Sequence, residues 1–330
     1  MDIVVEWFDN NAEVRFPTDQ LMEIQPSWSP NEPVGHFAMQ VVSGGVAHFD
    51  AIGQQVDGVF RRCFFLCRLR DGGQWVAASP HVVLQGTPNF RDYGGHLTTT
   101  GRQVAWGKLY RSGRLASLTD TDVASFRQLG IDMVFDFRQE SEQAGDPSRF
   151  PVGAEPNIIA LPITPGNTTG LFERIVDGTL SAEEMTVAMR DINRQLAISE
   201  AGVYRKMFEQ VLNHRGGASL IHCAAGKDRT GFAAAMMLSA LGVPLSTIMN
   251  DYLLTRRYFS VEAEIERISQ KYQWRGDSAV IRPMLEVDRS YLGAAFDAIN
   301  NQFQNTDVYL SEMLGLGKSE RQELEHLLLI

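Results

Sequence analysis

Residues 218–242, ASLIHCAAGKDRTGFAAAMMLSALG, contain the pattern that determines the fold class of this chain. The stretch begins with an apolar run that ends at Ile221, and this run predicts a short buried strand. A loop that contains glycine follows, and then a helix that is apolar on every side and ends at Gly242 and Pro244. Consecutive N–H groups of such a loop, with the positive end of the helix dipole, form a site for an anion. The pattern therefore predicts an α/β domain with a phosphate-binding loop.

Cys223 begins this loop, and Arg229 follows it after five intervening residues. The N–H groups that hold an anion would also stabilise the thiolate of Cys223, which is the nucleophilic form of the side chain. The spacing lets the planar guanidinium of Arg229 close on two phosphoryl oxygens. The alternative is a buried free cysteine, a common environment for this residue type. Apolar packing gives no reason for Lys227, Asp228 and Arg229 to follow so closely, so we expect a functional loop.

Other phosphate and metal sites do not fit the sequence. A nucleotide-binding loop requires the motif Gly-x4-Gly-Lys-Ser/Thr. Gly226-Lys227 does not fit it, because Asp228 follows instead of Ser or Thr. Gly317-Lys-Ser319 does not fit it either, because the first glycine of the motif would have to be at position 312, which is Glu. The seven histidines and three cysteines form no His-x3-His or Cys-x2-Cys grouping, so we expect no metal and no cofactor. The net charge of −10 argues against a nucleic-acid partner, which would require clustered lysine and arginine.

The N-terminal quarter of the chain has a different pattern. Residues 1–80 alternate apolar and polar positions in short stretches, such as 36–41, and turn signals such as Asp71-Gly-Gly73 separate them. We expect a small antiparallel, sandwich-like β-domain at 1–80 and an α/β domain at 84–330. Cys63 and Cys67 lie in one predicted strand, where their Cα atoms would be ~13 Å apart, beyond the ~7 Å limit for a disulfide. They are expected to be packing residues.

Local signals place several elements in the α/β region. Thr119-Asp-Thr-Asp122 predicts a helix start, and the strand over 133–137 delivers Asp136 and Arg138 to its carboxyl end, where open α/β sheets bind ligands. A second capping pattern at Ser181 begins a helix with an apolar face. The residues of this face are Met185, Met189, Ile192 and Leu196. Such a stripe is more often core than a substrate contact.

The chain shows no signal for a membrane span or for secretion. No run approaches the roughly 18 consecutive apolar residues that a span requires. The first residues, MDIVVEWFDN, lack a basic segment followed by an apolar one. We therefore expect a cytoplasmic protein without a transmembrane segment, and export without a cleaved signal is left open.

The loop also resembles a known signature. Residues 222–231, HCAAGKDRTG, match the HCxxGKDRTG motif of the atypical bacterial and fungal protein tyrosine phosphatases, of the mycobacterial secreted tyrosine and lipid phosphatase type. Other stretches are similar to further motifs of this family, namely 87–95 (TPNFRDYGG), 109–113 (LYRSG), 135–138 (FDFR), 250–255 (NDYLLT) and 307–310 (DVYL). The resemblance covers about residues 84–330. It implies the cysteine-phosphatase fold, a central and mostly parallel sheet flanked by helices.

The resemblance also implies roles for individual residues. Cys223 would be the nucleophile, Asp228 the general acid, Arg229 the phosphate clamp and Thr230 an aid to the thiolate. The phosphoryl group would be held by Cys223, Ala224, Ala225, Gly226, Lys227, Asp228 and Arg229. Lys227 resembles a loop lysine used for highly charged substrates, although a solvated cation at a helix start is the alternative. Supporting roles are expected for Arg91, Asp92, Arg111, Asp136 and Arg138.

The identity of the acid and the role of one segment are less direct. Positive charges around Asp228 disfavour an acid there, whereas a bound phosphate dianion would favour it. Asp92 and Asp136 are the alternatives, although each could equally form an ion pair with Arg91, Arg111 or Arg138. In relatives, the segment that corresponds to about 167–200 forms helices that cover the site, and the apolar stripe would then select bulky aryl or lipid substrates.

The expected activity is hydrolysis of phosphate monoesters through a phosphocysteine. Phosphotyrosine is the leading substrate, with dual specificity toward phosphoserine and phosphothreonine and activity on phosphoinositides also considered, so the partner is a phosphorylated protein or phospholipid. Two alternatives stay open. One is a catalytically weak module that binds phosphorylated ligands, and the other is an inositol-polyphosphate phosphatase of the phytate type, which Lys227 would suit.

Overall fold

The computed structural model describes residues 3–8, 11–17, 21–33, 37–42, 45–50, 55–56, 59–164, 166, 168–214 and 217–330. Nine short strands lie before residue 80. They are β1 (Val4–Phe8), β2 (Asn11–Arg15), β3 (Leu21–Ser27), β4 (Gln40–Val41), β5 (Val46–Phe49), β6 (Gln55–Val56), β7 (Val59–Phe60), β8 (Phe64–Leu69) and β9 (Gln74–Ala77). Their antiparallel sheets have the orders β1-β2-β5, β4-β3-β8-β9 and β6-β7. The antiparallel character predicted for this region is confirmed.

Alternating side chains build the core of this N-terminal region. In β2 and β8 the buried residues include Val14, Phe65 and Cys67, and they pack with Ile24 of β3. The turn predicted at 71–73 joins β8 to β9, and the carboxylate of Asp71 accepts a hydrogen bond from the N–H of Gly73 at 2.9 Å. Of the predicted stretch 36–41, only Gln40–Val41 forms a strand, and residue 36 lies outside the described residues.

Cys63 and Cys67 are buried and free, as expected of packing residues. Burial raises the pKa of each thiol to about 12, because an apolar environment disfavours the thiolate. Both thiols are therefore protonated and unreactive at neutral pH.

The remainder of the chain is built around a five-stranded sheet. Its strands are β10 (Arg91–Asp92), β11 (Leu109–Ser112), β12 (Ile131–Asp136), β13 (Asn157–Ala160) and β14 (Ala218–His222), in the order β10-β11-β14-β12-β13. All pairs are parallel except β10 with β11. The central strand β14 is buried at all five positions, as expected for a strand covered on both faces.

Thirteen helices occur in the described part of the chain. They are α1 (Asp120–Gln128), α2 (Glu140–Gly145), α3 (Thr168–Val176), α4 (Ala182–Ile198), α5 (Ala201–His214), α6 (Asp228–Ala240), α7 (Leu245–Leu253), α8 (Thr255–Tyr258), α9 (Val261–Tyr272), α10 (Ser278–Leu285), α11 (Arg289–Phe303), α12 (Thr306–Glu312) and α13 (Lys318–Leu328). None of the described helices is both long and apolar enough to cross a membrane. The predicted parallel sheet with flanking helices is confirmed.

The two predicted capping boxes are present, at Thr119 of α1 and Ser181 of α4. The apolar stripe of α4 is buried, and Met185, Met189 and Ile192 pack against Tyr291 of α11. Leu196 belongs to the main core around α6. The stripe therefore serves packing between α4 and its neighbours.

Candidate active site

Carbonyl groups of the loop between β14 and α6 accept hydrogen bonds from residues outside the loop. The carbonyl of Ala224 accepts from the N–H of Arg114 at 2.9 Å. The carbonyl of Gly226 accepts from Asn89 Nδ2 at 2.8 Å and from Arg111 Nη2 at 3.1 Å. Among the described residues, none accepts a hydrogen bond from the N–H groups of 224–229. This arrangement leaves a set of main-chain donors available to an anion.

Gly226 allows the loop its tight path. Its φ is +67°, in the left-handed region, and a Cβ at this position would lie 2.3 Å from the carbonyl oxygen of Ser112. Any side chain here would force the loop away from β11. Glycine is required both by conformation and by the close approach of two backbones.

Cys223 is the first loop residue after β14, is free and is only 3% exposed. The guanidinium of Arg229 is also buried rather than turned to solvent. Burial alone would oppose its positive charge, but the negative charges of Cys223 and Glu142 raise the pKa of Arg229. Cys223 and Arg229 therefore lie close enough to interact electrostatically.

The carboxylate of Glu142 in α2 binds the two terminal nitrogens of the Arg229 guanidinium. Its Oε2 accepts from Nη1 at 2.7 Å and its Oε1 from Nη2 at 2.9 Å, while Nη1 also donates to the carbonyl of Phe137 at 3.2 Å. A guanidinium has five N–H groups. In the described part of the chain the side chain of Arg229 donates only through Nη1 and through Nη2 to Glu142, so the opposite edge, formed by Nε–H and the second N–H of Nη2, has no acceptor there. That edge can bind two phosphoryl oxygens.

Asp228 lies at the first position of α6, and its side chain is partly exposed. Its Oδ1 accepts from Asn193 Nδ2 at 3.3 Å and from the hydroxyl of Tyr252 at 3.2 Å. Its Oδ2 lies 3.4 Å from Lys227 Nζ. Three neighbours from three elements thus hold this carboxyl at the edge of the loop.

The ammonium of Lys227 is bound by main-chain carbonyls at the C-terminal end of α10. Lys227 is 2% exposed, and its ammonium donates to the carbonyls of Met284 and Glu286, the latter at 2.6 Å. Burial lowers the pKa of Lys227, and the neighbouring carboxylate of Asp228 opposes that shift. The alternative of a solvated cation is therefore wrong for this lysine.

Thr230 is completely buried in the first turn of α6. Its Oγ1 has no hydrogen-bond partner in the described part of the chain. A buried hydroxyl normally has a partner, and its absence is consistent with a role toward a group that binds in the loop.

Arg91 and Arg111, two of the predicted supporting residues, share the buried carboxylate of Asp251. Arg111 Nη1 lies 2.8 Å from one oxygen, and Arg91 Nε lies 3.6 Å from the other. Burial opposes the charge of Asp251, but Arg91, His96 and Arg111 hold its pKa well below the usual range. Because Arg111 also binds the carbonyl of Gly226, this ion-pair network supports the loop from behind.

Asp136 and Arg138 form one of the ion pairs that the sequence left open as an alternative to an acid role for Asp136. Their closest oxygen–nitrogen distance is 2.8 Å, and both are buried at the end of β12. The ring of His222 lies 3.5 Å from Asp136, and burial lowers the pKa of this histidine to about 4, so it is neutral at neutral pH. These residues brace the end of β14 that precedes Cys223.

Asp92 has a different partner from those expected. It pairs with Arg62 of the N-terminal region, not with Arg91, Arg111 or Arg138. Its carboxylate also accepts from the N–H groups of Gly94 at 2.7 Å and Gly107 at 2.6 Å. With its oxygens occupied and its side chain fully buried, Asp92 does not suit the role of an acid.

The contacts of four residues with the site, Asn89, Glu142, Asn193 and Asp251, were not predicted from the sequence. Glu142 had one local signal, because it is the third residue of α2 and forms a capping box with Gln139. Asn89 had another, since Asn is among the residue types that adopt positive φ, here +60°. Within the described ranges, no three His, Cys, Asp or Glu side chains cluster as a metal site would require.

Comparison with known proteins is consistent with this geometry. Residues 82–330 match the model of the tyrosine phosphatase family. A Cupriavidus necator protein named as a tyrosine-protein phosphatase is 34% identical over 230 residues, which are 68% of this chain and 81% of that protein. The triple specificity protein phosphatase PtpB of Mycobacterium tuberculosis is 30% identical over 262 residues, 69% of this chain and 92% of PtpB.

Among solved structures, that of TpbA from P. aeruginosa is 18% identical, with a TM-score of 0.21, and the match covers 60% of this chain and 91% of TpbA. The family match covers the whole five-stranded sheet, the loop and the helices around it. The chain belongs to the tyrosine phosphatase family and is a phosphatase.

Proposed function

We propose that this phosphatase hydrolyses phosphate monoesters through a phosphocysteine intermediate at Cys223. The observation that carries the proposal is the loop at 224–229. The carbonyls of Ala224 and Gly226 accept hydrogen bonds from the surrounding scaffold, while the N–H groups of the loop have no acceptor among the described residues. The open Nε and Nη2 edge of Arg229 supplies the lateral donors. Such preorganised donors stabilise the charge on the equatorial oxygens of the transition state.

The reaction has two displacements. In the first, the thiolate of Cys223 attacks phosphorus, the ester P–O bond breaks, and the leaving oxygen takes a proton from Asp228. In the second, water attacks the phosphocysteine, its proton passes to the carboxylate of Asp228, and the thiolate leaves. Covalent catalysis divides one difficult step into two easier ones. Thr230, with its unpartnered buried hydroxyl, would donate to the thiolate as it leaves.

We infer that phosphotyrosine is the main substrate. The relatives named as tyrosine phosphatases support this inference, and the name of PtpB, a triple specificity phosphatase, supports a wider range that includes other phosphorylated residues. An inositol polyphosphate is less favoured than it is from sequence alone. The ammonium of Lys227, which would suit such a substrate, is already bound by two carbonyls.

Further parts of the proposal concern organisation. We propose the N-terminal unit as 1–80, the catalytic unit as 84–330, and the segment at about 167–200, which includes α3 and α4, as a cover over the site. The buried stripe of α4 supports a packed cover rather than one whose apolar face meets the substrate. A cytoplasmic location stays a prediction.

The proposal is tested with a panel of a phosphotyrosine peptide, a phosphoserine peptide and phosphoinositide vesicles. Wild type should hydrolyse the phosphotyrosine peptide with the highest kcat/KM. Cys223→Ser should lose activity on every member of the panel and still bind the phosphotyrosine peptide, because the loop amides and Arg229 remain. A Cys223→Ser variant that turns over normally would exclude the mechanism.

A further inference from the structure

We propose that Asn193, on α4, is a positioning residue for the general acid. This inference rests on the proposed function, because it concerns the role of Asp228 in the first displacement. Its basis is one contact between two elements, in which the amide of a buried asparagine donates to the carboxyl that we assign as the acid.

Asn193 occupies a position where an apolar residue would be expected. It is completely buried, and it follows the apolar stripe of α4 at the point where that helix approaches α6. A buried amide costs free energy unless it is hydrogen-bonded. Its Nδ2 donates to the carbonyl of Met189 at 2.9 Å and to Asp228 Oδ1 at 3.3 Å. A leucine would fill this volume without the polar penalty, so the donor has a purpose beyond packing.

The contact discriminates between the two oxygens of Asp228. Oδ1 accepts two hydrogen bonds, from Asn193 and from the hydroxyl of Tyr252. An oxygen that already accepts two donors has less capacity to carry a proton. Oδ2 has one neighbour, Lys227 Nζ at 3.4 Å, and that ammonium is already bound by two carbonyls. We therefore assign the proton of the neutral acid to Oδ2, whose direction is fixed by the anchored Oδ1. The leaving oxygen would then receive its proton from one atom of Asp228, in a fixed direction.

The contact between Asn193 and Asp228 also connects α4, part of the proposed cover, to the acid step of the reaction. Asn193 belongs to α4, Tyr252 to α7 and Asp228 to α6, so the acid is aligned only when these three helices are packed together. If α4 moved away to admit a substrate, Asp228 Oδ1 would lose one of its two donors. Alignment of the acid would then be completed on closure of α4, and not in the open enzyme.

The test compares two substrates that differ in how much they need an acid. Phenyl phosphate has a poor leaving group that requires protonation, whereas 4-nitrophenyl phosphate has a good one that requires little. Asn193→Leu should lower kcat for phenyl phosphate by about 10-fold or more and for 4-nitrophenyl phosphate by less than about 3-fold. KM should stay nearly constant, because Asn193 does not touch the phosphoryl group.

A cycle with Asp228→Asn separates positioning from folding. In the Asp228→Asn background the acid is absent, so adding Asn193→Leu should change kcat by less than about 2-fold. If Asn193→Leu lowers kcat equally for both substrates and in both backgrounds, Asn193 has only a structural role and the inference is wrong. Gln195→Ala, at an exposed position of the same helix, is the matched control and should leave both rates unchanged.

Two further variants keep the test decisive. If Asn193→Leu does not fold, Asn193→Ala removes the donor with a smaller side chain that suits a helix, and it should show the same selective loss on phenyl phosphate. Tyr252→Phe removes the other donor to Oδ1 and should act in the same direction. If Asp228→Asn itself shows no selective loss, the acid assignment of the proposed function fails. If Asp228→Asn shows the selective loss but Asn193→Leu and Asn193→Ala do not, only the positioning role of Asn193 is wrong.

Discussion

The contact between Arg229 and Glu142 determines which N–H groups of the guanidinium can meet a phosphoryl group. Glu142→Gln removes the negative charge and one of the two acceptors, so the open edge of Arg229 loses its fixed orientation. We expect kcat on a phosphotyrosine peptide to fall on the order of 10- to 100-fold, because misplacement of a positioned group has effects of this size. Steady-state kinetics of the purified variant measure it.

Glu140→Gln is the control, because Glu140 is exposed on the same short helix and has no contact with Arg229. It should behave as wild type. If Glu142→Gln also retains full kcat, then Arg229 does not need this partner and its contact with Glu142 has no catalytic importance.

Asp251 provides a prediction about pH and stability. Burial opposes its charge, but Arg91 and Arg111 keep its native pKa below the ordinary value of ~3.9. Its contribution to stability is therefore complete above that ordinary value and is lost as the pH falls through the native pKa. Asp251→Asn should lower the free energy of unfolding by about 3–5 kcal/mol at pH 7, because two buried cations lose their counter-charge.

Urea unfolding at pH 7 and at successively lower pH measures this difference. The gap between wild type and Asp251→Asn should narrow below about pH 4, where the unfolded chain begins to bind a proton at this carboxylate and the native chain does not. A gap that does not depend on pH would show that lost packing, and not lost charge, causes the destabilisation.

Residue identities in the loop were predictable, but the partners of those residues were not. Cys223 and Arg229 lie six positions apart, and their spacing alone predicts a shared anion. Glu142 and Arg229 are separated by 87 residues, and Asn193 and Asp228 by 35. Such contacts depend on how α2 and α4 pack against the sheet, and no local pattern encodes that packing. The same reason explains why Asp92 was assigned the wrong partner.

At the scale of elements, the close approach of the loop to β11 makes a clear prediction for Gly226→Ala. The new Cβ would lie 2.3 Å from Ser112 O, so the loop must move and its N–H groups would no longer converge. We expect kcat to fall by at least about 10²-fold, together with a loss of stability of about 1–3 kcal/mol from the positive φ. Enzyme kinetics and thermal unfolding of the same preparation measure both.

Gly101→Ala is a matched control, because it introduces backbone strain from a positive φ but no steric clash of the new Cβ. Gly101 has a φ of +83°, and a Cβ there would meet no atom within 4 Å. This variant should lose a similar amount of stability and keep its activity. Equal losses of kcat in both variants would mean that the activity follows general stability and not the shape of the loop.

Elements with local signals were predicted closely. The capping boxes at Thr119 and Ser181 satisfy N–H groups within four residues, so the sequence alone determines where α1 and α4 begin. The strand expected at 133–137 is observed as Ile131–Asp136. What the apolar stripe of α4 contacts was harder to predict. A helix that covers a site and a helix that packs in a core have the same apolar periodicity.

At the scale of the whole molecule, Arg62 joins the N-terminal sheets to the catalytic sheet. Its Nη1 donates to Asp92 of β10, and its guanidinium lies 5.2 Å from the ring of Trp106. Arg62→Ala would leave the carboxylate of Asp92 buried without its cation. We expect the free energy of unfolding to fall by about 3 kcal/mol or more, measured by urea denaturation.

Arg61→Ala, at the adjacent exposed position, should cost less than about 1 kcal/mol. The double variant Arg62→Met with Asp92→Asn, which removes both charges, should recover part of the loss. If Arg62→Ala unfolds as wild type does, the buried pair does not couple the two regions energetically.

The α/β class and the N-terminal antiparallel sheets were predictable, because each depends on short-range patterns. The strand order β10-β11-β14-β12-β13 does not follow from local patterns, since it depends on which strands pair across long separations. The contacts between the N-terminal sheets and the catalytic region were also not predictable. Trp106 contacts Arg62 and Val76 only in the folded chain.

Transfer of the phosphoryl group to Cys223 produces a covalent intermediate that can be trapped. The most direct measurement is rapid acid quench of the enzyme during turnover of a phosphotyrosine peptide with radiolabelled phosphate, followed by digestion and location of the label. We expect label on the peptide that contains Cys223, and no label in Cys223→Ser. Full turnover by wild type with no label on the protein, or label on another residue, would contradict this transfer.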